Sequence, residues 1–346
     1  IQILSYIGTY TFNLLIISIF SLPALLIFNY SRRLKVVVVL ALTLLLLSNF
    51  LFGVFTLKNF NNIKVKNLDF KIKIISPKIE IDRFLGFNDP TETIKNLITL
   101  SNPNDFEKTL FIFPEGIIPS TDLEDLKKYK EIFSKGYSYN HKVILGMTSF
   151  EKNKIFNTLV LMDNEVNILS KYKKNKLVPF GEFLPFENLL SRFDMKKITG
   201  GYQSFSANNS RDIIQINNIN FLPLICYEII YSGELSDNKN YDFILNISED
   251  GWFGKTVGPH QHFTHSIFRS IEEGKYLIRS SNNGISAVID PNGQIVDYIM
   301  SQGVLEVNTF KKRENTFFLI HGNTIFFYFL MIYITLFAFL KLRENK

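Results

Sequence analysis

The sequence predicts an α/β domain held at a membrane by apolar helices on either side of it. Three observations lead there. Hydrophobic residues make up 46% of the 346-residue chain and charged residues 20%, with a mean hydropathy of +0.09. That balance is too apolar for an ordinary soluble domain and too charged for a purely membrane-embedded one. The apolar residues gather in three blocks, at 3–28, 36–57 and 317–340, each about long enough to cross a hydrocarbon core. Between the second and third blocks, short β-rich runs alternate with helical patterns, as expected of a layered α/β fold.

The first block contains Asn13 and several Ser and Thr, and lacks both a basic leader and a small-residue cleavage site. It is expected to be a membrane helix rather than a signal peptide. The chain opens on Ile1 rather than Met, and further membrane helices are expected ahead of it. Arg32, Arg33 and Lys35 lie between the first two blocks, and Lys341, Arg343 and Lys346 follow the third. Short loops rich in Lys and Arg mark the cytoplasmic side. The expected organisation is therefore membrane helices within 1–57, a domain at 58–315 on the opposite face, and a last helix with a short cytoplasmic tail at 316–346. In a bacterium with two membranes, that opposite face is periplasmic.

Within the domain, strands are expected at 70–75, 109–113, 142–145, 158–162, 221–225 and 243–247. Helices are expected at 91–100, 122–133 and 260–279. Two further strands, 285–289 and 294–299, flank the turn Asp290-Pro291-Asn292-Gly293, so the sheet is expected to be mixed and to contain hairpins. Neither an internal repeat nor a low-complexity linker interrupts the segment.

The net charge of +6 is modest. Lys and Asn are scattered rather than striped with aromatics, which argues against nucleic-acid binding. A basic surface beside a bilayer suits anionic head groups, although a merely solvated face is equally compatible. The chain has one cysteine and hence no internal disulfide.

That cysteine, Cys226, follows the apolar run 221–225 and precedes a segment where a helix could begin. Backbone N–H groups and a helix dipole there would favour thiolate; an inert small core residue is the plainer alternative. Glu115 lies just past the run 109–113, at the kind of strand end where α/β ligand sites gather. A buried carboxylate there could take a proton from a thiol, or Glu115 could be an ordinary loop acid. Lys173, Lys174 and Lys176 are three candidates for an ammonium that stabilises a thiolate or an oxyanion, and spacing does not choose among them. His262 and His265 sit three residues apart on an expected helix, but no HExxH signature or cysteine pair accompanies them. They are expected to form a helix-surface cluster, and no metal or other cofactor is expected.

Taken in order, Glu115 after a strand, Tyr172-x-Lys174-x-x-Leu177-Val178-Pro179-Phe180-Gly181-Glu182, and Cys226-Tyr227-Glu228 after another strand resemble the Glu-Lys-Cys arrangement of the nitrilase, or carbon-nitrogen hydrolase, superfamily. Within it the chain is most similar to the apolipoprotein N-acyltransferase family. Gly251-Trp252-Phe253-Gly254, Gly258-Pro259-His260-Gln261-His262-Phe263 and the segment from Arg279 to Val288 extend the likeness.

The resemblance implies a four-layer αββα sandwich, with Glu115 as general base, Lys174 holding the oxyanion and Cys226 as nucleophile. It implies a supporting role for Glu182 and places Tyr227, Glu228 and Trp252 around the site. Three positions depart from the family pattern. Phe113 stands where Trp is frequent, Glu249 where Asn is common, and the segment 79–89 offers Phe84 or Phe87 in place of a Trp.

The implied reaction moves an acyl chain from a phospholipid, such as phosphatidylethanolamine, through a Cys226 thioester. The acceptor is the N-terminal amine of a diacylglyceryl-cysteine apolipoprotein. The implied location is a bacterial inner membrane. A membrane-tethered amidase or nitrilase using the same three residues is the first alternative, and a non-catalytic scaffold the second.

Overall fold

The structure is a computed structural model and describes residues 1–28, 31–85, 89–118, 120–186, 204–235 and 240–344. Its domain contains two six-stranded sheets. The first is formed by β1 (Val65–Ser76), β2 (Thr109–Ile112), β3 (His141–Glu151), β4 (Lys154–Asp163), β5 (Ile168–Lys173) and the last strand, β12 (Gly303–Lys311), in the order β12-β1-β2-β3-β4-β5. The second comprises β6 (Ile214–Ile216), β7 (Ile219–Ile225), β8 (Phe243–Glu249), β9 (Tyr276–Asn282), β10 (Ser286–Ile289) and β11 (Ile295–Ile299), ordered β11-β10-β9-β8-β7-β6.

Both sheets are mixed. β1, β2 and β3 run parallel, as do β7, β8 and β9, while the outer strands pair antiparallel. Every residue of β2 and β8 is buried, as expected for central parallel strands covered on both faces. Alternation along a strand sends its side chains to two cores. Ile72, Ile74 and Ile112 join Ile225, Leu245 and Ile247 in a cluster drawn from both sheets. Ile75, Phe111 and Phe113 pack instead with Ile94, Leu97 and Phe133, which belong to α3 (Pro90–Ser101) and α4 (Lys130–Gly136). On the far side of the second sheet, Leu222, Leu224 and Leu277 pack with Phe263 of α5 (Gly258–Glu273).

The helix expected at 260–279 is two elements. Gly274 adopts a left-handed φ of 63° at the C-cap of α5, a conformation open to glycine at no steric cost. The chain then re-enters the sheet as β9. The segment 122–133 likewise starts as a 3-10 turn, Asp125–Tyr129, before α4.

Apolar helices flank the domain. α1 (Leu4–Ser21) continues into the 3-10 turn Leu22–Leu26, and α2 (Arg32–Asn61) outruns the expected block at both ends. The spans Leu4–Leu26 and Arg32–Asn61 are both long and apolar enough to cross a membrane. The third block is broken at Gly322, φ 57°, into α6 (Phe317–His321) and α7 (Thr324–Glu344).

α1 is also fastened to the domain. Gly8, with φ 68°, kinks it where a side chain would strike the Phe318 ring. At the kink, the Thr9 N–H and hydroxyl donate to Glu272 Oε1 at 2.6 and 2.7 Å, and Arg269 Nε lies 2.9 Å from Glu272 Oε2. Glu272→Ala would leave the fully buried Arg269 without its carboxylate. The expected loss is about 3–5 kcal/mol, measured by equilibrium unfolding in detergent.

Candidate functional site

Parallel strands bring their C-terminal ends to one edge, and the polar side chains collect there. After β2 the chain turns through Pro114, Glu115 and Gly116. Gly116 N–H donates to Gly146 O of β3 at 2.9 Å. A Cβ on Gly146 would lie 2.7 Å from Glu115 Cα, so glycine lets the turn close on its neighbour. Gly146→Ala is therefore expected to displace Glu115 and slow alkylation of Cys226 by iodoacetamide roughly tenfold or more.

The Glu115 carboxylate accepts from Asn157 Nδ2 at 2.6 Å and from the Glu249 N–H at 3.0 Å. Lys174 Nζ stands 3.7 Å from it.

Among the three lysines, burial and partners separate one from the other two. Tyr172 and Lys174 face inward, whereas Lys173 pairs with Glu151 and Lys176 with Glu234. Lys174 is 1% exposed, and its ammonium reaches Glu182 Oε1 at 2.9 Å. Burial works against its charge, but Glu182 and Glu115, with Cys226, outweigh that and hold its pKa above the ordinary lysine value. Glu182 is fixed in turn by Asn157 Nδ2 at 2.9 Å and the Val178 N–H at 2.9 Å.

Cys226 opens a single 3-10 turn, Cys226–Ile230, directly after β7, with φ at 50°. A left-handed φ on a non-glycine residue is a strained elbow held by its surroundings. The turn is too short to supply the helix dipole expected from sequence. Burial, with the Glu115 charge added, raises the thiol pKa, and Lys174 only partly opposes the rise. The direction runs against the thiolate that the sequence suggested.

The elbow is pinned from below. The Cys226 carbonyl lies 3.2 Å from His262 Nε2 and 3.4 Å from Asn246 Nδ2. His262 Nδ1 is 2.9 Å from Asp250 Oδ1, and Arg279 Nη2 donates to the same carboxylate at 2.8 Å. His262 is 5% exposed, so the expected helix-surface cluster is wrong for this residue: it faces the sheet at the base of the elbow. Burial, then the nearby Arg279, lowers its pKa despite the Asp250 partner.

Glu228 does not line an open cleft. It is fully buried and accepts from Tyr172 OH at 2.8 Å, the Asn175 N–H at 2.9 Å and the Lys176 N–H at 3.0 Å. Its other oxygen accepts from the Ile225 N–H at 2.9 Å. It braces the turn of Cys226 against the segment carrying Lys174. Tyr227 meets Tyr231 edge-on at 5.6 Å.

Trp252 is 50% exposed and stacks on Phe84 at 5.3 Å, so it is not the core aromatic that its residue type alone favours. Phe253 and Val257 nearby and Phe180 beside Glu182 are also exposed. Of the two phenylalanines offered in place of a Trp, Phe84 stacks on Trp252 and Phe87 lies outside the described residues, while Phe113 is buried in the outer core.

Sequence reasoning missed Asn157, Arg83, Asp250 and Asn246, and gave no role to Arg279. The last two had a signal, being polar residues interrupting the buried runs Phe243–Glu249 and Tyr276–Asn282. Among the described residues, no group of three or more His, Cys, Asp or Glu is placed to hold a metal ion.

Together these side chains offer a proton acceptor, a fixed cation and a nucleophilic sulfur at one strand-end edge. Residues 105–309 match the family model described as carbon-nitrogen hydrolase. The apolipoprotein N-acyltransferase of Rhodopseudomonas palustris is 32% identical over 314 residues, covering 85% of this chain and 58% of that protein. The apolipoprotein N-acyltransferase of Brucella melitensis is 28% identical over 321 residues, covering 89% and 60%. The chain thus spans little more than half the length of these relatives. Saccharomyces cerevisiae Nit3, a member of branch 10 of the nitrilase superfamily, shares the fold with a TM-score of 0.51 at 16% identity, covering 70% of this chain and 90% of that one.

Proposed function

The chain belongs to the carbon-nitrogen hydrolase family, and on that premise we propose that it transfers an acyl chain from a phospholipid to an apolipoprotein through Cys226. The observation that carries this reading is one of placement. Glu115, Lys174 and the Cys226 thiol share an edge of a domain fastened to helices long and apolar enough to cross a membrane.

The perturbed groups support these roles. A thiol whose pKa is raised needs a base at the moment of attack, and Glu115 is the adjacent carboxylate. A lysine whose pKa is raised stays an ammonium, so Lys174 acts by its charge. Glu115 takes the thiol proton as sulfur attacks an ester carbonyl of the donor, with phosphatidylethanolamine as the expected phospholipid. Lys174 and a backbone N–H face the oxyanion. Collapse breaks the ester C–O bond, the lysophospholipid leaves with the proton from Glu115, and a Cys226 thioester remains.

The α-amine of a diacylglyceryl-cysteine apolipoprotein then attacks the thioester. The amide forms and the Cys226 thiol is released. Glu182 holds Lys174, Glu228 braces the elbow, and the Phe84–Trp252 pair with Tyr227 borders the lipid path. In this proposal the domain at 58–315 is a four-layer αββα sandwich on the periplasmic face of a bacterial inner membrane. It is anchored there by helices within 1–57 and 316–346.

The test is mass spectrometry of a diacylated lipopeptide incubated with phospholipid and the full chain. The lipopeptide is expected to gain one acyl chain. Cys226→Ala should lower that rate by about 10⁴-fold or more. A folded Cys226→Ala variant that acylates at the original rate would refute the reading.

A further inference from the structure

We propose that Arg83 is a positioning residue for Glu115, acting through its buried pair with Glu249. The same guanidinium anchors the arm Ile81–Leu85 against the site. The inference rests on the reading above only in taking Glu115 as the base.

Arg83 and Glu249 are 0% and 1% exposed in their side chains and form a direct ion pair. Arg83 Nε donates to Gly116 O at 3.0 Å, on the residue next to Glu115, and Nη1 donates to Glu80 O at 3.0 Å, just ahead of the arm. Glu249 also accepts from Asn282 Nδ2 at 2.8 Å and from the Gly251 N–H at 2.7 Å, while its own N–H donates to Glu115 Oε2 at 3.0 Å. The base is therefore held at two backbone points, Gly116 and the Glu249 amide, and one guanidinium ties both.

Lysine could not replace it, since a single ammonium lacks the planar fork that reaches several acceptors in fixed directions. Taking two charges out of water costs several kcal/mol per ion, and apolar replacements often serve stability as well. Position, rather than stability, is what this pair supplies. Phe84 extends the effect: its ring lies 4.3 Å from the Arg83 guanidinium carbon and stacks on Trp252.

The experiment measures the second-order rate of Cys226 alkylation by iodoacetamide, which needs no lipid, together with acyl transfer and the unfolding temperature. Two variants are compared, Arg83→Lys and the neutral pair Arg83→Met with Glu249→Leu. Alkylation is expected to fall roughly tenfold or more in each variant that keeps its unfolding temperature, with transfer falling in parallel. In a Glu115→Gln background the Arg83 effect should vanish, because it acts through that carboxylate.

A folded variant alkylated at the original rate overturns the proposal, and so does an Arg83→Lys loss that simply multiplies with that of Glu115→Gln. If Cys226 alkylation depends on Glu115 and Arg83 but no acyl group is transferred, the positioning role stands and the acyltransferase reading fails. If transfer is seen and the Arg83 effect is independent of Glu115, the outcome is reversed.

Discussion

Lys174→Met is expected to lower acyl transfer by about 10³-fold, the upper range for removing a donor to a developing oxyanion. It should also destabilise the fold. Lys174 is the cation for both Glu182 Oε1, at 2.9 Å, and Glu115 Oε1, at 3.7 Å. Methionine matches the stem in length but leaves two carboxylates sharing Asn157 with no positive charge between them. Breaking a buried pair by removing one partner costs about 3–5 kcal/mol. Initial rates and denaturant unfolding on the same preparation measure the two effects. A folded variant within a few-fold of the original rate would remove Lys174 from the chemistry.

Glu115→Gln separates those effects. A glutamine carbonyl can still accept from the Glu249 N–H and Lys174 keeps Glu182, so the fold should lose mainly the contact with Asn157 Nδ2, from which a glutamine NH2 cannot accept. What disappears is the proton acceptor beside a thiol whose pKa is raised by burial. Loss of a general base typically costs about 10²–10⁴-fold in rate. The loss should appear in kcat, with KM for the lipopeptide nearly unchanged, if Glu115 acts, as proposed, on the thiol rather than on the acceptor. An increased KM with unchanged kcat would assign Glu115 to binding instead.

The strand and helix pattern was largely legible because buried parallel strands read as continuous apolar runs, as with Thr109–Ile112 and Phe243–Glu249. Boundaries were harder where one backbone angle decides them. Nothing in the apolar pattern of 260–279 reveals that Gly274 turns left-handed and ends the helix there, and Gly322 hid the break between α6 and α7 in the same way. β5 went unseen because five of its six residues are exposed or only partly buried, without clear alternation, yet it is the strand that leads directly into Lys174.

At the site, Glu115 and Cys226 were visible as polar residues just past strand ends. Lys174 was not separable from Lys173 and Lys176 by chemistry, only by resemblance and then by its burial beside Glu115 and Glu182. The supporting shell was the least legible. Asn157 joins Glu115 to Glu182 across 42 and 25 residues of chain, respectively, and Arg83 meets Glu249 across 166. Such contacts leave no local periodicity. His262 was misplaced for the same reason, since its partners Asp250 and the Cys226 carbonyl come from other elements.

The central claim is that Cys226 carries the acyl group. Its most direct test is the mass of the Cys226 peptide after the full chain is incubated with phosphatidylethanolamine and no acceptor. A mass increase of one fatty acyl chain on that peptide, discharged by hydroxylamine and by added diacylated lipopeptide, is the predicted result. An unmodified Cys226 peptide from a preparation that is meanwhile N-acylating lipopeptide would contradict the account.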